Sequence, residues 1–189
     1  MSLLTRTIHN GVDAEERAAL RGRIEHDPAG AVVGLRAANR WIDGTHSVTA
    51  VGAIDGGRAA TGARTHSFRL DADAPAGLLG GDRGPDPCEL LLHALAACLT
   101  RSVVHAATDR GIELTAVESA VTGALDVRGL LALPGGAGAG LERVDVTVRV
   151  CGDAPARELG ALVEHAAAAS PVCAALRREL PVAPRVSAS

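Results

Sequence analysis

The sequence predicts an α+β fold in which an antiparallel sheet packs against a long, buried central helix. Residues 31–70 alternate in large part between apolar and polar side chains, as strands do, and residues 87–109 are apolar on nearly every face of a helix. Two further strand-like segments follow at about 112–128 and 142–151. Because the strands come in groups with helices between the groups, antiparallel pairing is favoured over a doubly wound parallel sheet.

An N-terminal helical extension is predicted over residues 1–30. Asp13 is a good N-cap residue, Glu16 stands three positions later, and Asp27-Pro28 ends the helix. The remaining residues, 31–189, are predicted to form a single domain. A chain of 189 residues with 47% apolar content is long enough for one substantial core and short for two.

Two hairpins are predicted in the first strand region. One turns at Asp43-Gly44 and the other at Asp55-Gly56-Gly57, where the glycines supply the backbone freedom that tight turns need. A loop rich in Gly and Pro follows at 74–87. This loop leads into the central helix.

The start of the central helix is well specified by its first residues. Asp86 can cap the helix, Pro87 suits its first position, and Glu89 stands where a capping-box carboxylate belongs. The helix is predicted to run to about Asp109 and to end at Gly111. Two shorter helices are predicted near the end of the chain, one over 155–168 and one that is capped by Ser170-Pro171.

Composition excludes several classes of function. The net charge is −3, the chain has no Tyr, one Phe and one Trp, and so it offers neither a basic surface nor rings on which bases could stack. Nucleic acid is therefore not an expected partner. The seven His residues show no HExxH pattern and the four Cys no paired CxxC spacing, so neither a metal nor a cofactor is expected.

The sequence also predicts a cytoplasmic protein without a membrane partner. Residues 1–16 lack the apolar core of a signal peptide, and no run approaches the roughly 18 apolar residues that span a bilayer. In the cytoplasm, four cysteines favour free thiols or a transient catalytic pair over a structural disulfide framework.

Two cysteines stand on predicted buried helices. Cys98 lies in the central helix, with a cation, Arg101, and an imidazole, His105, within two turns of it, and Cys173 lies in the last helix. Residue types alone leave two interpretations open: thiol redox chemistry or two small, inert core residues. A third thiol, Cys151, stands on a predicted strand without an evident partner and is interpreted as structural.

Three segments of the chain carry a family resemblance. They are Gly81-Asp82-x-Gly84-Pro85-x-Pro87-x-Glu89-Leu90-Leu91-Leu92-x-Ala94-Leu95-Ala96-Ala97-Cys98, then Arg110-Gly111-Ile112, then Ser170-Pro171-Val172. Together these segments, which lie between about residues 68 and 182, resemble the family of osmotically inducible protein C and organic hydroperoxide resistance proteins (OsmC/Ohr). The resemblance implies an intertwined homodimer with two active sites at the subunit interface. For catalytic members it also implies a thiol peroxidase that reduces organic hydroperoxides and is recharged by an external dithiol such as a lipoyl group.

The resemblance makes Cys98 the attacking thiol. Reduction of a peroxide needs a thiolate, and the resulting sulfenic acid must be trapped by a second thiol. Catalytic members carry this resolving thiol where the present chain has Ser170, and the nearest thiol here is Cys173, three residues later. Three helical residues displace a side chain by roughly 4.5 Å and about 60° around the axis. Cys173 is therefore the candidate resolving thiol in a shifted position.

Three further residues are supporting candidates. Many peroxidatic members have a Glu at the position of Cys88, and that Glu organises an Arg beside the reactive thiol. This chain has no carboxylate at that position, so Glu89 is the nearest one. The family's Arg comes from an early hairpin, where Arg40 is the candidate in this chain. The alternative roles are a helix cap for Glu89 and a solvated surface side chain for Arg40. Cys88 could also react on its own, since unpaired N–H groups in the first turn of a helix favour a thiolate.

The sequence leaves two functions open. The first is a thiol-dependent peroxidase that reduces organic hydroperoxides through Cys98 and Cys173. The alternative is a non-catalytic protein of the same fold, whose apolar pocket at the dimer interface binds a small hydrophobic ligand and whose cysteines only pack.

Overall fold

The computed structural model describes residues 7–56, 66–135, 140–178 and 182–185. The chain divides into two compact units, and the division falls between Leu91 and Leu92, in the first part of the long helix. The mixture of helices and antiparallel strands confirms the predicted α+β class.

The first unit opens with the predicted N-terminal helix. The side chain of Asp13 accepts a hydrogen bond of 3.0 Å from the backbone N–H of Glu16, and the helix ends at His26, before Asp27-Pro28. The predicted cap and stop are therefore both confirmed. The elements of this segment are β1 (Ile8–His9), β2 (Val12–Asp13) and α1 (Ala14–His26), followed by a 3-10 turn at Pro28–Ala31.

A three-stranded antiparallel sheet follows in the order β3-β4-β5, with β3 at Val33–Asp43, β4 at His46–Gly56 and β5 at Phe68–Ala72. The predicted turn at Asp43-Gly44 is confirmed, since Asp43 pairs with His46 and Gly44 has a φ of 53°. The predicted turn at Asp55-Gly56-Gly57 is wrong for its first two residues. Strand β4 continues through them because Gly56 pairs with Val33, and Gly57 lies outside the described residues.

Asp73 orders the loop that leads into the long helix. Its carboxylate is 1% exposed and accepts hydrogen bonds from the backbone N–H groups of Ala74, Gly81 and Arg83, at 2.9, 3.1 and 3.2 Å. The Arg83 guanidinium in turn makes a bidentate ion pair with Asp43, with Nη1 at 2.6 Å from Oδ1 and Nη2 at 2.9 Å from Oδ2. A loop that is rich in Gly and Pro is thus held by one buried carboxylate, because buried charges are stable only when they are fully hydrogen-bonded.

The second unit contains most of helix α2, which runs from Pro87 to Asp109 as predicted. Gly111 follows it with a φ of 67°, the left-handed conformation that commonly ends helices. The other elements are β6 (Leu114–Leu125), a single helical turn α3 (Val127–Leu130), β7 (Leu141–Gly152), α4 (Ala156–Ala169) and α5 (Pro171–Arg177). Strands β6 and β7 form an antiparallel hairpin.

One face of α2 is buried in this unit. Its C-terminal end packs with α4, where Ala107 and Leu162 are both fully buried, together with Ala106 and Ile112. Further along, Gly123 of β6 lies so close to Leu92 that a Cβ atom there would be 3.2 Å from the leucine side chain. The central helix is therefore fixed against the hairpin on one side and α4 on the other.

By length and composition, α2 could also cross a membrane, which differs from the expectation that no segment of the chain is apolar enough. The bent pair of α4 and α5 passes the same criteria when it is counted as one span. Core helices of soluble proteins pass these criteria as well, so this property is weak evidence for a membrane protein.

Candidate functional site

Cys98 lies near the middle of α2 and is 6% exposed. Leu95 and Leu99, its neighbours on the helix, are also buried. The long apolar run that predicted a buried helix therefore also buries the thiol. All four cysteines of the chain are free thiols.

Ser170 contacts the Cys98 thiol from the junction of α4 and α5. It is 1% exposed, and its hydroxyl donates a hydrogen bond of 3.1 Å to Cys98 Sγ. The same oxygen accepts a hydrogen bond of 3.2 Å from the backbone N–H of Cys173, as expected of the residue that caps α5. The sequence predicts the cap at Ser170, and the structure adds that this cap lies against the thiol.

A guanidinium and a backbone N–H complete the surroundings of the sulfur. Arg101 Nη2 lies 3.5 Å from Cys98 Sγ, one helical turn further along α2, and the N–H of Val172 also donates to the sulfur. Burial raises the pKa of the Cys98 thiol, but the hydrogen bonds from Ser170 and Val172 and the charge of Arg101 outweigh it. The pKa of Cys98 is therefore lowered from the ordinary cysteine value, and the thiolate is favoured.

Cys173 is half-buried, and its side chain lines an open groove of about 320 Å³ in the second unit. Most of the groove lining is aliphatic, with arginines and one glutamate at its polar part. Cys173 contacts Ser170 through its backbone N–H, which donates to the serine hydroxyl oxygen. The groove is lined by Leu95, Leu141, Glu142, Arg143, Val144, Val146, Cys173, Leu176 and Arg177.

The two supporting candidates at the start of α2 belong to its capping structure. The Glu89 carboxylate accepts a hydrogen bond of 2.9 Å from the backbone N–H of Asp86, and the Asp86 carboxylate accepts one of 2.8 Å from the N–H of Cys88. The pKa of Cys88 is raised, first by burial and then by the charge and hydrogen bond of Asp86. This direction is opposite to the expectation that the helix N-terminus favours a Cys88 thiolate.

Arg40 and Cys151 each lie on a strand, one in each unit. Arg40 is an exposed residue of β3 in the first unit and pairs in register with Val48 of β4. Cys151 is half-buried on β7 in the second unit, and Arg149 Nη1 lies 3.4 Å from its sulfur. Among the residues that the structure describes, no group of three or more His, Cys, Asp or Glu side chains is placed to hold a metal ion.

A model of the OsmC-like protein family matches residues 80–185, which include Cys98, Ser170 and Cys173. The chain belongs to the OsmC-like family. This confirms the resemblance drawn from the motif around Cys98. No curated protein matches the chain.

Solved structures of OsmC-like proteins share the fold. An OsmC-like protein from Mycoplasma pneumoniae has 15% sequence identity and a TM-score of 0.57, with coverage of 76% of this chain and 87% of that one. An organic hydroperoxide resistance protein OsmC from Legionella pneumophila has 21% identity, a TM-score of 0.51 and coverage of 76% and 89%. An organic hydroperoxide resistance protein from Elizabethkingia anophelis has 20% identity, a TM-score of 0.52 and coverage of 76% and 88%.

Proposed function

We propose that this OsmC-like protein is a thiol-dependent peroxidase that reduces organic hydroperoxides at Cys98. The observation that carries the proposal is the surroundings of the Cys98 sulfur, where a buried hydroxyl donates at 3.1 Å and a guanidinium lies at 3.5 Å. A cysteine that only fills the core needs neither group. Both groups favour the thiolate, which is the nucleophile in an attack on a peroxide.

In the proposed first step, the Cys98 thiolate attacks the outer oxygen of the hydroperoxide. The O–O bond breaks, the sulfur becomes a sulfenic acid, and the alkoxide that leaves takes up a proton to give the alcohol. A second thiol then displaces water from the sulfenic acid and forms a disulfide. Cys173 is the proposed resolving thiol, and an external dithiol reduces the disulfide.

The groove that Leu95 and Cys173 line supports an organic substrate. Leu95, which lines it, lies one helical turn before Cys98 on α2, and Leu141, Val144 and Leu176 add further aliphatic surface. An alkyl hydroperoxide can bury its chain in such a groove, whereas hydrogen peroxide has no chain to bury. The relatives from Legionella pneumophila and Elizabethkingia anophelis, which are named organic hydroperoxide resistance proteins, agree with this substrate class.

The test is a peroxide consumption assay with an alkyl hydroperoxide and excess dithiol. We expect Cys98→Ser to abolish consumption. Cys173→Ser should complete one turnover and then stall if Cys173 resolves the sulfenic acid. The matched control is Cys151→Ser, which removes another half-buried thiol that contacts an arginine and should keep wild-type activity.

Four outcomes would count against parts of the proposal. Full activity in Cys98→Ser, or no activity of the wild type with any dithiol, would contradict the peroxidase function. Normal cycling of Cys173→Ser would show that Cys98 acts with external thiol alone. Equal rates with an alkyl hydroperoxide and hydrogen peroxide would remove the argument from the groove.

The aliphatic lining of the groove also supports the second candidate function, which is the binding of a small hydrophobic ligand without catalysis. An inactive wild type that still binds an alkyl probe would favour this function. Replacement of Leu176, a more exposed residue of the groove lining, by Asp should then abolish probe binding, whereas Cys98→Ser should leave it intact.

We also propose that the chain acts as a cytoplasmic homodimer. The support is that apolar side chains are exposed in each of the two units, at and just before the first sheet and on the turn after β6. A folded monomer in light scattering at micromolar concentration would contradict the dimer. The exposed side chains include Val32, Leu35, Trp41, Phe68, Leu130, Leu131 and Leu133.

A further inference from the structure

Ser170 stands where the family resemblance places a resolving thiol. A serine there cannot form a disulfide. Its hydroxyl is nevertheless almost fully buried, and it makes two hydrogen bonds, one to a sulfur and one to a backbone N–H. A polar group that is buried to this extent is costly unless both bonds are made.

The Ser170 hydroxyl is the donor of its hydrogen bond to the Cys98 thiolate, because a thiolate carries no hydrogen. The backbone N–H of Cys173 can only donate, so the serine oxygen is the acceptor of that bond. The single hydroxyl hydrogen is then free for the Cys98 sulfur at 3.1 Å. Pro171 has no backbone N–H and so leaves this cap without a competing donor at the first position of α5.

We propose that Ser170 is a positioning residue that holds the Cys98 thiolate by donating a hydrogen bond, and that the backbone of Cys173 orients it. The proposal deepens the proposed function and rests on it in taking Cys98 as the reacting thiol. The same position thus serves a different purpose in this chain: it stabilises the nucleophile and leaves the resolving step to another thiol.

Loss of a hydrogen bond to a charged group changes the ratio of thiolate to thiol roughly tenfold or more. Loss of the Ser170 hydroxyl should therefore slow any reaction of the Cys98 thiolate at neutral pH. The pH at which the reaction reaches half its maximal rate should rise at the same time. A role in helix capping alone would produce neither effect on the pH profile.

The test is the rate of Cys98 alkylation by iodoacetamide as a function of pH, read by mass spectrometry of the Cys98 peptide. We expect Ser170→Ala to lower the rate at neutral pH about tenfold and to move the profile to higher pH. Ser170→Thr, which keeps a hydroxyl and a good cap, should restore most of the wild-type profile. The control is Ser119→Ala, which removes a half-buried hydroxyl on β6 and should change nothing.

A second variant covers the case in which Ser170→Ala does not fold. Glycine is tolerated at N-caps much better than alanine, so Ser170→Gly removes the hydroxyl with less damage to α5. Wild-type profiles in folded Ser170→Ala or Ser170→Gly would overturn the proposal.

Alkylation requires no peroxide, so the two proposals can fail separately. A wild type that consumes no peroxide but shows the shifted alkylation profiles would overturn the peroxidase function and support the role of Ser170. A wild type that consumes peroxide, with unchanged alkylation profiles in the Ser170 variants, would support the peroxidase function and overturn the role of Ser170.

Discussion

Cys88 and Cys98 belong to the same helix, ten residues apart, and yet their pKa values are shifted in opposite directions. Burial raises the pKa of both thiols. At Cys88 the neighbouring carboxylate of Asp86 raises it further. At Cys98 the donors on Ser170 and Val172 and the charge of Arg101 reverse the effect of burial.

The difference shows that the position of a thiol on a helix does not decide its ionisation. Cys88 lies in the first turn, where the helix dipole favours an anion, but the residue that caps this turn is itself an anion. Cys98 lies in mid-helix, where the dipole contributes little, and its donors come mostly from another segment of the chain. Individual neighbours at hydrogen-bond distance outweigh the helix as a whole.

The largest expected effect comes from replacing the donor at Cys98 by a thiol. Ser170→Cys combined with Cys173→Ser, which removes the proposed resolving thiol, should form a disulfide with Cys98 on exposure to peroxide, because the serine oxygen is already 3.1 Å from the sulfur. Intact mass should show a two-hydrogen loss that dithiol reverses. Cys98→Ser in the same background is the control and should show no such loss. A Ser170→Cys protein that accumulates only higher oxidation states of sulfur would contradict the geometry.

The second prediction compares the two thiols directly. In the folded wild type at neutral pH, iodoacetamide should label Cys98 about tenfold faster than Cys88, although Cys98 is the more buried of the two. Labelling after denaturation should make the two rates similar. If Cys88 reacts faster in the folded protein, exposure rather than ionisation controls these thiols, and the proposed contrast between them is wrong.

The local features of this fold could be predicted from the sequence because they depend on neighbours in the chain. The caps at Asp13, Asp86 and Ser170 and the end of α2 before Gly111 follow from residue types at fixed spacings. The β4 extension through Asp55 could not be predicted, since pairing with β3 overrides the turn preference of an Asp-Gly sequence there.

The site was predictable in part for the same reason. The motif that ends at Cys98 identified the thiol, and helical spacing placed Arg101 near it. The contact between Ser170 and Cys98 joins residues 72 positions apart, and no local pattern encodes it. Residue type predicted Ser170 as a helix cap, but only the family resemblance placed position 170 at the reacting thiol, and it indicated a missing thiol rather than a hydrogen-bond donor.

The third prediction tests the charge near Cys98. Arg101→Gln should slow Cys98 alkylation at neutral pH by about threefold, because an exposed guanidinium interacts with the thiolate through a largely screened field. Arg101→Lys should retain most of the rate. The difference between Arg101→Gln and wild type should shrink at high salt, and an effect that does not depend on salt would indicate a structural role instead.

The smallest expected effect is on stability as a function of pH, where the two cysteines should act with opposite signs. The thiol of a cysteine in the unfolded chain has a pKa of about 8.5. The folded pKa of Cys98 is lowered, so its contribution to the free energy of unfolding grows as the pH rises from the folded pKa to the unfolded one, and it is lost as the pH falls. The folded pKa of Cys88 is raised, so its contribution is present below the unfolded pKa and is lost as the pH rises above it.

Urea unfolding under reducing conditions between about pH 6 and pH 9 measures both contributions. Cys98→Ser should abolish an increase in the free energy of unfolding as the pH rises, and Cys88→Ser should abolish a decrease. Each change should be on the order of 1 kcal/mol, the contribution of one net hydrogen bond. Each variant is the control for the other, because both remove one thiol from the same helix. Changes of the same sign in the two variants would mean that Ser170 and Asp86 do not set the opposite ionisation of these thiols.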